Sequence, residues 1–262
     1  MNRTIGFIGT GNMGSAMIVG VSSICKEIYV YDHHPEKMKK LEDKVHIMSS
    51  EKEVCETSDI LVLSIKPKHY QNTIETIREY VKKDVVIVCI AAGITISKVK
   101  EYFGYNIKCA KAMPNTPAMV GQAMSALCFD DVCENQDKEC IQSIFSSFGK
   151  YEIVDEHLMD SVTAISGSSP AYFYMMIEAM ADASVAQGMK RDQAYVFAAQ
   201  AMLGSAKMVL ETQLHPGTLK DNVCSPGGTT IEAVKKLEES GFRSSIIQAM
   251  DACFEKSKEM SK

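Results

Sequence analysis

No Cys-x-x-Cys pair occurs among the nine cysteines of this 262-residue chain. Most of them lie in apolar runs, Cys89 in VVIVCIAA and Cys128 in SALCF, where a free thiol behaves as a small hydrophobe. The odd count, with no signal peptide, gives the expectation of a reducing cytoplasm. No stretch approaches the roughly 18 consecutive apolar residues of a membrane span. The apolar run in MNRTIGFIG is broken by glycine within a few residues, too soon for a secretory h-region. The expectation is therefore a soluble chain with no membrane partner. A basic surplus is missing too: the net charge is −5 and the pI is near 5.7, so a nucleic-acid partner has no electrostatic support. KMKK (37–40) and VKK (234–236) are the basic clusters, and both read as solvated helix faces. Internal repeats and low-complexity tracts are absent.

What is present is ordinary globular material, 46% hydrophobic and 23% charged, in a chain long enough to bury a core without disulfides. Up to residue 155, short β-rich runs alternate with amphipathic stretches: TIGFI (4–8), EIYVYD (27–32), DILVLSI (59–65), DVVIVCIA (84–91), NIKCAKAM (106–113), MSALCFD and YEIVD (151–155). Continuous apolar runs suit strands covered on both faces, which predicts a mostly parallel, doubly wound α/β sheet. Beyond Asp155 the pattern changes. YFYMMIEAMADASVAQ, QAYVFAAQAMLGSAKMVL and IIQAMDACFEKSKEM carry Ala and Met at helical spacing, which predicts an all-helical second domain. The expected division is 1–155 and 156–262. Helices 171–187 and 194–210 are apolar on more than one face, and such helices need partners on several sides. In so short a domain this predicts a homodimer, with a compact monomeric bundle as the alternative.

IGFIGTGNMG reads strand, then Gly9-x-Gly11-x-x-Gly14, then helix. Gly9 allows the tight turn, Gly11 lets the backbone approach a pyrophosphate, and Gly14 lets helix and strand pack closely. Pyrophosphate then sits on the helix N-terminus, where unpaired N–H groups favour negative charge. The dinucleotide-binding candidates are Ile8, Gly9, Thr10, Gly11, Asn12, Met13 and Gly14. Asp32 follows eighteen residues after Gly14, where an acid usually holds the ribose 2′-OH of NAD. His33, His34 and nearby lysines offer the alternative of meeting the 2′-phosphate of NADP, so the two cofactors stay open. No cluster supports a metal. Lys66 and Pro67 fall at the end of a later strand and are expected along the cofactor's ribose. Ala91, Ala92 and Gly93 are expected to let the nicotinamide side approach, and Asn115 of the rigid turn PNTP to fix that end.

A second loop lies far downstream. LKDNVCSPGGTTIEAVKKLE (219–238) reads helix, Ser-Pro-Gly-Gly turn, helix. Backbone N–H groups of Gly228, Thr229 and Thr230 with the Ser225 hydroxyl make an anion nest of carboxylate size; the plainer alternative is a connector with Thr229 or Thr230 as helix cap. With SGSSPAYFY, HPGTLKDNV, SGFRSSI and IGFIGTGNMG, this segment resembles the pyrroline-5-carboxylate reductase family, and the match runs from end to end. The resemblance implies a Rossmann-type domain followed by a helical domain that interlocks as a homodimer, often assembled further into a ring of dimers. It implies reduction of 1-pyrroline-5-carboxylate to L-proline with NADPH or NADH. It also implies that Ser225, Gly227, Gly228, Thr229 and Thr230 bind the substrate carboxylate, with Thr230 and Ser225 nearest the chemistry and the Thr230 hydroxyl reaching the ring nitrogen. On the same footing Glu156 is expected near the cationic nitrogen and Asn222 at the nicotinamide ribose. Near the adenine side the chain carries Glu51 and Asp-His-His, and carboxylates there repel a 2′-phosphate.

Two rivals share the two-domain plan. A 3-hydroxyacid dehydrogenase requires a catalytic lysine a turn after the Gly-Ser loop of the helical domain, yet SGSSPAYFYMMIEA is followed by no lysine until Lys190. A non-catalytic nucleotide-binding module leaves the second anion loop without a purpose.

Overall fold

The computed structural model of the chain describes residues 3–260. Eight strands, β1 (Ile5–Ile8), β2 (Ile28–Tyr31), β3 (His46–Ile47), β4 (Ile60–Leu63), β5 (Val86–Cys89), β6 (Lys108–Met113), β7 (Ala123–Phe129) and β8 (Gly149–Ile153), form one sheet in the order β3-β2-β1-β4-β5-β6-β7-β8. Every neighbouring pair is parallel except β6 with β7. The mostly parallel sheet is thus as expected. Its strand order reverses between β1 and β4, and in open α/β sheets a crevice for ligands opens at the carboxyl ends of the strands at that point.

The apolar runs divide by alternation into two cores. Ile5 and Phe7 of β1, Val62 of β4 and Val88 of β5 pack with Met17, Ile18 and Phe145 on one face. Ile8, Leu61, Leu63 and Ile87 pack with Tyr70, Ile74, Val99 and Phe103 on the other. Both faces are covered, which is why these strands show no polar alternation. β3 escaped the sequence reading because two residues cannot display a period of two. At the amino ends of β1 and β6 Asp137, whose side chain is fully buried, accepts from Arg3 at 2.6 Å and from the Glu134 amide at 2.9 Å. Lys108 reaches it at 2.9 Å.

The chain divides into two compact units. The first runs through Pro170 and includes the C-terminal stretch from Cys253 onward. In it the helix Met159–Val162 runs into a π-helical turn, Thr163–Gly167. Ser257 donates to Asp160 at 2.6 Å, tying the C-terminal stretch to that segment.

The second unit, Ala171–Ala252, contains the helices Arg191–Thr212, Pro216–Asn222 and Thr229–Glu239 whole. It also holds most of Ser169–Ala186 and the first part of Phe242–Met260. Its buried hydrophobic side chains are Ala181, Ala194 and Ala198 alone. Phe173, Tyr174, Met175, Val196, Phe197, Leu203 and Leu210 are exposed, Met175 and Val196 by 68% each. The unit thus exposes large apolar side chains while burying only small ones, and exposed apolar surface of this kind marks interaction faces.

Candidate active site

β1 ends directly in the glycine-rich loop. Gly9 has φ +95, and a side chain there would strike the Ser64 carbonyl. A side chain on Gly14 would strike the Gly9 carbonyl. Gly11 differs: a Cβ there meets nothing within 4 Å, so its bare backbone borders open space that a ligand can approach. Gly11 caps the helix Asn12–Val21 without any side-chain cap bond, leaving that N-terminus available to an anion. The loop is braced from behind. The Gly9 amide donates to Tyr31 O at 2.8 Å, and Ser15 Oγ donates to Thr10 O at 2.7 Å.

Beside the loop lies a cleft of about 600 Å³ lined among others by Gly11, Asp32, His33, Lys37, Glu51 and Lys66. Asp32 accepts from the Thr10 amide at 2.8 Å and from the His34 amide at 2.9 Å. Partial burial pushes its carboxyl up, but these bonds and the charge of Lys37 outweigh it and hold Asp32 below the usual carboxylate range. Glu51 faces His33 Nε2 at 3.4 Å; burial pushes its carboxyl up, and the histidine only partly offsets this. Lys66 is exposed at the cleft, whereas Pro67 opens the short 3-10 turn Pro67–His69. A residue missed by sequence reasoning is Tyr70. Fully buried, it donates to Leu63 O at 2.6 Å and accepts from the Ile90 amide at 3.3 Å, which joins the carboxyl ends of β4 and β5. A tyrosine in an amphipathic helix gives no sign of such a bridge.

The next two loops are held tightly by the protein. Ala91 is buried and Ala92 half-buried. Gly93 has φ +76, and a Cβ there would lie 2.7 Å from the Met260 carbonyl, so its small size admits the C-terminal helix. Asn115 donates to Ser166 O at 3.0 Å and accepts from the Met124 amide at 2.9 Å. Both ends of that amide are committed to the protein. Glu156 accepts from the Ile96 amide at 2.7 Å and so caps the helix Ile96–Phe103.

In the second unit the helix Pro216–Asn222 ends at an exposed Asn222. Gly227 adopts φ +67, and the Gly228 amide donates to Ser225 O at 3.0 Å. That amide, expected among the nest's donors, therefore closes the turn. A Cβ on Gly228 would lie 2.3 Å from Ser225 Oγ, so a side chain there would force the Ser225 hydroxyl to turn away. The helix Thr229–Glu239 begins after Gly228 with no side-chain cap bond; neither threonine serves as the cap. Ser225 and Thr229 are exposed and Thr230 is half-buried. Two N-terminal amides and three hydroxyls here suit a small anion. Among the described residues no group of three or more His, Cys, Asp or Glu gathers to hold a metal, and no helix is long and apolar enough to cross a membrane.

Comparison with known proteins bears on both loops. The family model for pyrroline-5-carboxylate reductase dimerisation matches residues 156–260. A second, for NADP oxidoreductase, coenzyme F420-dependent, matches residues 4–93. The pyrroline-5-carboxylate reductase of Escherichia coli (strain K12) is 46% identical over 268 aligned positions that cover 100% of both chains. That of Pisum sativum is 37% identical, covering 98% of this chain and 96% of its own. Among solved structures, Plasmodium falciparum pyrroline carboxylate reductase with NADP bound superposes with a TM-score of 0.91 at 33% identity, covering 100% of this chain and 99% of its own. A 3-hydroxyisobutyrate dehydrogenase from Mycobacterium tuberculosis reaches a TM-score of 0.53 at 13% identity, covering 71% and 67%, a likeness of fold alone.

Proposed function

The chain belongs to the pyrroline-5-carboxylate reductase family, and from that premise we propose how its own residues perform the reaction. The enzyme is an NAD(P)H-dependent oxidoreductase that reduces 1-pyrroline-5-carboxylate to L-proline, the last step of proline biosynthesis. The observation that carries this is the 46% identity over the whole length of both chains.

The site residues fit a bound dinucleotide: the open side of Gly11 and the uncapped N-terminus of Asn12–Val21 match a pyrophosphate. In this reading Thr10, Gly11, Asn12 and Met13 hold the phosphates. Lys66 and the Ala91–Gly93 backbone form the walls toward the nicotinamide, with Ile8, Gly9, Gly14, Pro67 and Asn115 shaping them and Asn222 assigned to the nicotinamide ribose. The nicotinamide ring, when bound, supplies the hydride that saturates the C=N bond.

The substrate offers one carboxylate and one ring nitrogen. The Thr229 and Thr230 amides and the Ser225 hydroxyl receive the carboxylate, while Gly227 and Gly228 fix the turn that aims them. The Thr230 hydroxyl hydrogen-bonds the ring nitrogen. Since the imine enters as its iminium, no strong acid is required; positioning does the work and is worth roughly 7–11 kcal/mol at best. Glu156 contributes as a positioning acid at the start of Ile96–Phe103. The chain self-associates through its second unit, and we extend this to a homodimer built on the exposed Phe173–Met175 and Val196–Phe197 faces, with a ring of dimers as the larger assembly. Nine free thiols suit the cytoplasm as its location.

Oxidation of NADPH or NADH by the purified chain, dependent on added 1-pyrroline-5-carboxylate and yielding proline, tests the reading. No turnover with either cofactor contradicts it.

A further inference from the structure

On the reading that the Ala91–Gly93 loop walls the nicotinamide, we propose that the last turn of the C-terminal helix, residues 257–260, positions that loop for hydride transfer. The observation behind this is a closed ring of three segments, all within the first unit. The backbone of Met260 packs directly on Gly93. A Cβ at 93 would lie 2.7 Å from the Met260 carbonyl oxygen and 2.8 Å from its carbon. Ser257, 4% exposed, donates to Asp160 at 2.6 Å and so pins the last turn to the helix Met159–Val162. Just before that helix, Glu156 accepts from the Ile96 amide at 2.7 Å, which returns to the far end of the same loop.

The two ends of the loop are fixed separately from its tip. At the start the Ile90 amide donates to Tyr70 Oη at 3.3 Å. At the end Thr95 Oγ1 accepts from the Lys98 amide at 3.0 Å. Gly93 lies between them with φ +76, and the three atoms nearest to a Cβ there all belong to Met260. A tip seated on the end of a helix shifts with that helix end, while the strands beneath stay in place. Ala91 and Ala92 adjoin it, so a shift at Gly93 moves the wall. A displacement of about 1 Å far from the chemistry can slow a positioned reaction about a hundredfold. The effect falls on hydride transfer, because the phosphate and adenosine contacts belong to the glycine-rich loop and its cleft.

Point variants of the full chain test this, with kinetics and cofactor binding measured separately. The Glu259 side chain is 62% exposed, and proline there breaks the last turn by removing a backbone donor and crowding the turn before it. Glu259→Pro is expected to lower kcat about ten- to hundredfold, while the calorimetric Kd for NADPH stays within about twofold. The primary deuterium isotope effect on kcat, with the cofactor deuterated at C4, should rise as hydride transfer slows relative to product release. Glu259→Ala keeps the turn and should match the unaltered chain. Ser257→Ala keeps the turn but loses the pin, and should lower kcat about three- to tenfold. Asp160→Asn retains an acceptor for Ser257 and should stay within about twofold. Unchanged kcat in folded Glu259→Pro overturns the inference, as does a fall in kcat matched by an equal loss of NADPH affinity. If Glu259→Pro does not fold, Ser257→Ala decides, and a kcat equal to that of Asp160→Asn overturns it. No turnover by the unaltered chain overturns the reductase reading, and this inference with it.

Discussion

Ser225 Oγ occupies the space that a Cβ on Gly228 would need. Any side chain at 228 would displace that hydroxyl, and the helix that follows keeps its first amides free of any side-chain cap. Thr230→Ala removes a proposed contact to the substrate nitrogen without removing a cap. Hydrogen bonds to charged groups contribute about 1.5–3 kcal/mol, so kcat/KM for 1-pyrroline-5-carboxylate is expected to fall roughly ten- to hundredfold. Thermal melting should stay within about 1 °C, below the shift of about 2–4 °C that a 1 kcal/mol loss produces in a chain of this size. Steady-state kinetics beside a melting curve checks both; unchanged kinetics removes Thr230 from the site.

Asn115 bridges Ser166 O and the Met124 amide while almost wholly buried. Asn115→Ala leaves a buried donor and a buried acceptor unmatched, each costing about 1–3 kcal/mol. Urea unfolding should show an unfolding free energy lowered by that order, read as a lower midpoint with an unchanged slope. A loss of cofactor affinity with full stability would instead make this side chain a ligand.

Asp137 is held below the usual carboxylate range: burial pushes it up, but hydrogen bonds from Lys108 and Arg3 prevail. A depressed folded value means the stabilisation is present above the unfolded value, about 3.9, and is lost as pH falls through the lower folded one. The urea midpoint should therefore drop between about pH 5 and pH 2. Asp137→Asn, which abolishes this titration, should be less stable at pH 7 by about 2–3 kcal/mol, under the 3–5 of a fully buried pair because Arg3 and Lys108 stay partly solvated. Its midpoint should change less with acid than that of the unaltered chain.

Val196 and Phe197 are 68% and 67% exposed on the helix Arg191–Thr212. Covering a large apolar side chain stabilises an interface by about 1.5–3 kcal/mol, and a buried unpaired charge opposes it. Phe197→Asp should lower the sedimentation mass toward that of one chain, with helical content retained by circular dichroism. An unchanged mass places the association face elsewhere.

Strand and helix alternation, both glycine loops and the apolar character of the second unit were legible because each is a local pattern. β1 shows itself in IGFI and the first loop in three glycines at fixed spacing. The two-residue β3 and the π-helical turn at 163–167 were not legible, since neither leaves a periodic trace. Gly93 reads in the sequence as room for a nicotinamide; a second demand on its small size, the backbone carbonyl of Met260 2.7 Å from where a Cβ would lie, appears only in the fold. No local pattern announces a neighbour so distant in sequence.

By itself the sequence determined which backbone could cradle anions, because a glycine's freedom and a helix's first amides are properties of a few adjacent residues. Only the tertiary structure decided what the polar side chains do. Asp32 finds Thr10 22 residues away, Asn115 finds Ser166 51 residues away, and Glu156 finds Ile96 60 residues away. A carboxylate or amide takes whichever donors folding brings within about 3 Å. That choice gave Asp32 the Thr10 and His34 amides as donors, a pairing that no pattern within a few adjacent residues announces.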